Sequence, residues 1–189
     1  MTAELGLYID LDRCYGCGTC EMACTMEKSL PPGQSHIHVT EVRNGPGLPP
    51  SRDFVPVACQ HCDEPACVNV CATGALYRDG NGLVVFNADA CTACGLCEEA
   101  CPYGAIILDA SNGQPRRCDL CADRQVAGLL PACVQHCPGR AMDIWPPQAV
   151  NQGSIGPVGV EPSRPPKKVW SAGKLVYLSR KGGSILSHT

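Results

Sequence analysis

The sequence predicts an α+β fold of short strands, hairpins and single helical turns, organised around cysteine loops rather than a large apolar core. Three observations lead there. Sixteen cysteines in 189 residues fall into four groups of four. Brief apolar stretches of strand length flank those groups. Aromatic residues make up only 5% of the chain and charged residues 17%, a thin supply of large core side chains. A small core of that kind usually needs a staple of metal or disulfide. The formal charge of -3 gives no sign of a polyanionic partner, so nucleic-acid binding is not expected.

The opening segment MTAELGLYIDLDRC has neither a basic stretch nor a long apolar run and does not read as a secretory signal. No run approaches the roughly 18 apolar residues of a membrane helix. A soluble, cytoplasmic chain with no transmembrane segment is therefore expected. Structural disulfides are rare in that compartment. The even cysteine count alone does not argue for a disulfide framework.

In chain order, YIDLDRC reads as a short strand with Asp12 two residues before the first group, Cys14, Cys17, Cys20 and Cys24 in CYGCGTCEMAC. SHIHVTEV reads as a strand whose His36 and His38 share one face, expected to be exposed. The second group is Cys59, Cys62, Cys67 and Cys71 in CQHCDEPACVNVC, with a helical turn over CVNVCA. ALYRDGNGLVVF then reads as a hairpin around Asp79-Gly80-Asn81-Gly82. VFNADAC repeats the strand, here with Asp89 before the third group, Cys91, Cys94, Cys97 and Cys101 in CTACGLCEEACP. CEEACP is a helical turn and CPYGAII a turn into a strand. The fourth group is Cys118, Cys121, Cys133 and Cys137, preceded by Arg116 and Arg117 and followed by the strand of CPGRAMDI. The spacings are 2-2-3, 2-4-3, 2-2-3 and 2-11-3, so every group ends in Cys-x3-Cys and the chain carries an internal repeat.

Residues 146–168, rich in Pro, Gly and polar residues and ending PSRPPKK, read as an extended arm. VWSAGKLVYLS reads as a last short strand or hairpin. Beyond Glu161 there is no acidic residue, against six basic ones: Arg164, Lys167, Lys168, Lys174, Arg180 and Lys181. Trp170 and Tyr177 lack an obvious core, so the arm is expected to lie across a partner subunit.

The spacing also carries the chemistry. A Cys-x2-Cys-x2-Cys loop is too tight for three independent sites and suits one compact polynuclear cluster. The fourth cysteine of such a run points away, toward a neighbouring cluster. The run C-x2-C-x2-C-x3-C-P is the bacterial ferredoxin pattern, whose last cysteine ligates the other cluster. Cys91 to Pro102 matches it at every position. Pro102 has a fixed φ and no amide to donate, so it can end the helical turn. Zinc is the competing reading, because zinc sites use two Cys-x2-Cys pairs across a longer gap. Groups two and four alone admit it; groups one and three do not. No thioredoxin-like βαβ pattern surrounds any pair.

His61 and His136 sit beside cysteines. Since the cysteine count is already complete, they are expected to tune the sulfurs rather than ligate iron. Arg13, Arg116 and Arg117 are candidates for offsetting cluster charge. No P-loop, GxGxxG or Ser–His–Asp arrangement is present, so no catalytic residue is assigned.

The motif order and the phrases CYGCGTCEMAC, CQHCDEPAC, CTACGLCEEACPYGAI and RRCDLCADR resemble the iron–sulfur subunits of the dimethyl sulfoxide reductase type. Similar subunits serve polysulfide, thiosulfate, tetrathionate and arsenate reductases and some formate dehydrogenases and hydrogenases. Similar polyferredoxins accompany tungsten-dependent aldehyde oxidoreductases. The resemblance covers about residues 5–145. It implies two pseudo-symmetric bacterial-ferredoxin-like units carrying four [4Fe–4S] clusters. The outer unit would comprise residues 1–50 and 110–145, the inner unit residues 51–109, and residues 146–189 would form the basic, Pro/Gly-rich C-terminal arm.

Carried over to this sequence, the resemblance implies that Cys59, Cys62 and Cys67 share a cluster with Cys101, and Cys91, Cys94 and Cys97 with Cys71. Cys14, Cys17 and Cys20 would take Cys137, and Cys118, Cys121 and Cys133 would take Cys24. It implies a non-catalytic electron-transfer subunit relaying electrons between a large molybdopterin or tungstopterin subunit and a flavin, quinone-linked or ferredoxin partner. A flavoprotein subunit or a membrane anchor would complete the complex. The alternative is a free-standing polyferredoxin. Co-export with a partner bearing a twin-arginine signal would place the chain in the periplasm instead. The chain departs from the family pattern where Ala72 follows Cys71 and where an Asp-rich segment after motif four is missing.

Overall fold

The computed structural model describes residues 6–43, 52–145, 168–171 and 174–179. In chain order its elements are β1 (Gly6–Asp10), α1 (Thr19–Glu27), β2 (Ile37–Arg43), β3 (Arg52–Ala58), α2 (Ala66–Asn69), β4 (Leu76–Arg78), β5 (Val84–Phe86), α3 (Leu96–Glu99), β6 (Ile106–Leu108), β7 (Pro115–Arg117), α4 (Ala122–Val126), α5 (Ala132–Gln135), β8 (Met142–Trp145), β9 (Lys168–Ser171) and β10 (Leu175–Ser179). The strands expected around the cysteine groups form, and the Cys-x3-Cys segments coil into helical turns. α1 runs further than one turn, to nine residues.

β1 alternates as a half-buried strand should, with Leu7 and Ile9 inward and Tyr8 and Asp10 partly exposed. It pairs antiparallel with β8 and parallel with β10, and β9 closes the sheet order β8-β1-β10-β9. Leu7, Ile9, Ile144, Leu175 and Tyr177 lie in the core beneath this sheet, with Leu120 and Val134 among their neighbours. The remaining strands pair two by two, β2 with β3, β4 with β5 and β6 with β7. β3 tolerates Pro56 because a two-stranded sheet leaves each strand an open edge. In the β4–β5 turn, Asp79 Oδ1 accepts the amides of Asn81 (2.9 Å) and Leu83 (2.8 Å), the device that an Asp-Gly-Asn-Gly turn predicts.

Two expectations need correction. VWSAGKLVYLS does form a hairpin, but Tyr177 does not wait for a partner: it is only 1% exposed, inside this chain's own core. Its hydroxyl donates to Pro56 O at 2.9 Å and accepts from Gln60 Nε2 at 3.2 Å. A strand lying parallel to β1 turns one face inward, and the buried phenol finds a backbone acceptor there. His36 is not on an exposed face either. The strand begins at Ile37, so His36 precedes the alternation and is buried, while His38 is exposed. The rest of the expected arm, residues 146–167 and 180–189, lies outside the described residues.

Gly6 lets β10 approach. A Cβ built there would sit 2.1 Å from Lys174 O, the oxygen that accepts the Leu7 amide at 2.8 Å. Gly6→Ala is therefore expected to push β10 off β1 and destabilise the chain by about 1–3 kcal/mol, in the range of other overpacking substitutions. A lowered thermal midpoint checks this; an unchanged one would mean that β10 does not pair there.

Candidate metal centres

Each Cys-x3-Cys segment is a helix that spans two neighbouring thiol groups. In motifs one and three the helix is launched from a glycine in the left-handed region, Gly18 at φ 71° and Gly95 at φ 79°. That conformation costs glycine little and other residues more. α1 thus carries Cys20 and Cys24. α2, α3 and α5 carry Cys67, Cys97 and Cys133 and hand the chain directly to Cys71, Cys101 and Cys137.

The thiols gather across motifs, the last cysteine of each joining the first three of another. Cys14, Cys17, Cys20 and Cys137 line one cavity. Burial, Glu21 and the nearby Cys14 and Cys137 push the Cys20 thiol up to about 12. Cys24, Cys118, Cys121 and Cys133 line a second cavity. Burial pushes Cys133 well above the usual thiol range, with Cys118, Cys121 and Cys24 adding to it. Cys71, Cys91, Cys94 and Cys97 line a third. Cys59, Cys62 and Cys67 are each raised first by burial, and each feels the nearby Cys101; Cys67 reaches about 11. Among the described residues no three of His, Cys, Asp or Glu are placed to share a single metal ion. The thiolates of a polynuclear cluster sit on separate metals and need no such closeness.

Backbone amides aim at the sulfurs. Cys101 Sγ accepts from Ala105 N (3.4 Å), Cys137 Sγ from Ala141 N (3.3 Å) and Cys71 Sγ from Leu76 N (3.4 Å). Cys91 Sγ accepts from Ala93 N (3.3 Å) and Cys118 Sγ from Leu120 N (3.4 Å). Hydrogen bonds to sulfur favour the thiolate. At Cys71 burial raises the thiol, yet the Leu76 amide, the Thr73 hydroxyl and two further amides outweigh it and leave it below its ordinary value. Sixteen thiols in four sets, several already hydrogen-bonded at sulfur, suit iron–sulfur ligation. Most are buried and held protonated, so metal must displace their protons.

The 4Fe-4S dicluster domain model matches residues 51–145, and a 4Fe-4S binding domain model matches residues 5–26. The chain is 38% identical to the B subunit of the anaerobic dimethyl sulfoxide reductase of Escherichia coli, over 77% of its own length and 75% of the relative's. It is 34% identical to the corresponding B subunit of Haemophilus influenzae, over 98% and 97%. It is 38% identical to a thiosulfate reductase electron transfer subunit of Salmonella typhi, over 75% and 76%. The chain belongs to the dimethyl sulfoxide reductase family of iron–sulfur subunits.

In this iron–sulfur subunit the cationic and imidazole side chains fall into distinct places. His61 is 1% exposed; its Nδ1 accepts the Val84 amide at 3.1 Å, and burial holds its pKa down to about 4. His136 lies exposed just after α5. Arg13 is exposed and donates to Arg140 O at 3.3 Å. Arg116 pairs with Asp109 at 2.6 Å. Arg117 is buried and its Nη1 donates to Cys118 O at 3.0 Å. Sequence reasoning named both arginines without separating them. The available signal was period two: neighbours on one strand face opposite ways, and only one could turn inward.

The subunit's exposed thiols are Cys17 and Cys94, the second cysteines of motifs one and three. Apolar side chains stand open nearby in sequence: Tyr15 and Met22 beside the first, Val70 and Leu96 around the cavity of the second.

Proposed function

We propose that this chain is the electron-transfer subunit of a molybdenum or tungsten oxidoreductase, holding four [4Fe–4S] clusters in the four cross-motif cysteine sets. Bound there, the clusters supply one-electron redox chemistry. The chain's own part is to hold them in order, bond their sulfurs and exclude water. Cys67 and Cys71 flank α2, and Cys97 and Cys101 span α3, which ties the set of Cys71, Cys91, Cys94 and Cys97 to that of Cys59, Cys62, Cys67 and Cys101. α1 ties the set of Cys14, Cys17, Cys20 and Cys137 to that of Cys24, Cys118, Cys121 and Cys133. Between these pairs, Cys118 feels the nearby Cys59 after burial and the Leu120 amide. The order is then a line of four.

One observation carries the reading. The two terminal sets contain the exposed cysteines, Cys17 and Cys94, and the two middle sets contain none. A relay must be reachable at its ends and insulated in its middle. The exposed Tyr15, Met22, Val70 and Leu96 supply apolar rims of the kind a partner subunit covers. One partner is a large pterin-containing catalytic subunit, as the names of the relatives suggest. The other is a flavoprotein, ferredoxin or quinone-linked anchor. No helix among the described residues is long and apolar enough to cross a membrane.

The purified chain is expected to contain about sixteen irons with matching acid-labile sulfide. Four zincs without sulfide would sink the proposal. The native chain is expected to co-purify with a pterin-containing subunit; a chain that always runs alone would favour a free polyferredoxin.

A further inference from the structure

The line of four thiol sets has three joints, and two of them are helices carrying a cysteine for each side. The middle joint, between the sets of Cys59 and of Cys118, has no such helix. What lies there is Arg117. It ends β7, directly before Cys118, and is paired with Ile106 of β6. It is 9% exposed and its Nη1 is fixed on Cys118 O at 3.0 Å. From that position the guanidinium works on the neighbouring set. Burial raises the thiols of Cys59 and Cys67, and Arg117 pulls both back toward the thiolate.

Its charge has no ordinary partner among the described residues. Neighbouring Arg116 is taken by Asp109, but no described carboxylate forms an ion pair with Arg117, and its Nε has no hydrogen-bond partner there. A buried, unpaired guanidinium is costly, and arginine cannot escape by losing its proton. Thiolates on both sides are the charges left to balance it.

We propose that Arg117 is the electrostatic joint of the relay, a fixed cation between the two middle cysteine sets that makes both easier to reduce and couples them. A positive charge between two sites stabilises an added electron on either, and less of that field is left for the second once the first is reduced. The planar fork of arginine can face one set while bonded to the backbone of the other. The inference rests on the proposal that these sets hold clusters.

The test is an EPR-monitored redox titration of the full-length cluster-loaded chain and its variants R117Q, R117K and R116Q. R117Q is expected to lower two of the four potentials, each by at least tenfold in the reduction equilibrium, about 59 mV for a one-electron couple, and to leave the other two in place. R117K keeps the charge and is expected to move the same two by less than half as much. R116Q, whose residue is already paired, is expected to move none. Unchanged potentials in R117Q, an equal fall of all four, or a fall in R117K as large as in R117Q would each overturn the assignment. If R117Q fails to assemble clusters, R117K decides: near-native potentials support the charge role, and failure of both makes Arg117 a folding residue only. Fewer than four clusters in the wild type would instead overturn the relay reading itself.

Discussion

Cys101→Ala is expected to strip or degrade the cluster held by Cys59, Cys62 and Cys67 and to spare that of Cys91, Cys94 and Cys97, although Cys101 belongs to the latter's motif. The reason is geometric. α3 ends at Glu99, and the chain beyond it carries the Cys101 thiol to the second motif, where Cys59, Cys62 and Cys67 all feel it. The third motif takes Cys71 instead, which lines the same cavity as Cys91, Cys94 and Cys97. Iron content should fall by about one to four of sixteen atoms, with loss of a single EPR signal. Cys71→Ala should remove a different signal. If Cys101→Ala and Cys71→Ala abolished the same signal, the cross-motif grouping would be wrong.

Tyr177→Ala carries the largest expected cost in stability, about 3–5 kcal/mol, the usual range for emptying a buried aromatic site. For a chain of this size that corresponds to roughly 6–20 °C in the thermal midpoint. Tyr177→Phe keeps the ring and loses only the hydroxyl that bonds Pro56 O and Gln60, which should cost about 1–2 kcal/mol. Alkali adds a second signature. Burial raises the phenol to about 12, with the Gln60 hydrogen bond opposing. The neutral phenol is favoured in the folded state, so its stabilising contribution is full below the unfolded value near 10 and is lost as pH rises toward 12. Tyr177→Phe should remove that part of the alkaline loss. Equal melting of Tyr177→Ala and the wild type would show that β10 is not part of the core.

The parts that were legible in the sequence are those written in local spacing. A tight cysteine loop, a glycine at the helix start and a Cys-x3-Cys turn each constrain a few adjacent residues. The strands after Cys71, Cys101 and Cys137 and the hairpin at Asp79 follow from the same local grammar. The misses are non-local. Nothing in LVYLS says that it will lie parallel to a strand that began about 170 residues earlier, so Tyr177 looked coreless. His36 misled because period two was extended one residue before the strand starts. Arg116 and Arg117 look equivalent on paper; only the β6–β7 pairing sends one to Asp109 and the other inward.

The sheet order has a consequence for biosynthesis. β1 is among the first segments to be made, yet both of its neighbours, β8 and β10, come near the other end of the chain. At ordinary translation rates that gap lasts on the order of ten seconds or more. Throughout it Leu7 and Ile9 have no sheet to join. Motifs two and three, by contrast, contain their own strands and can close as soon as residue 117 is made. The order of maturation would then run from the inside of the relay outward, with the thiols of the first motif the last to be enclosed.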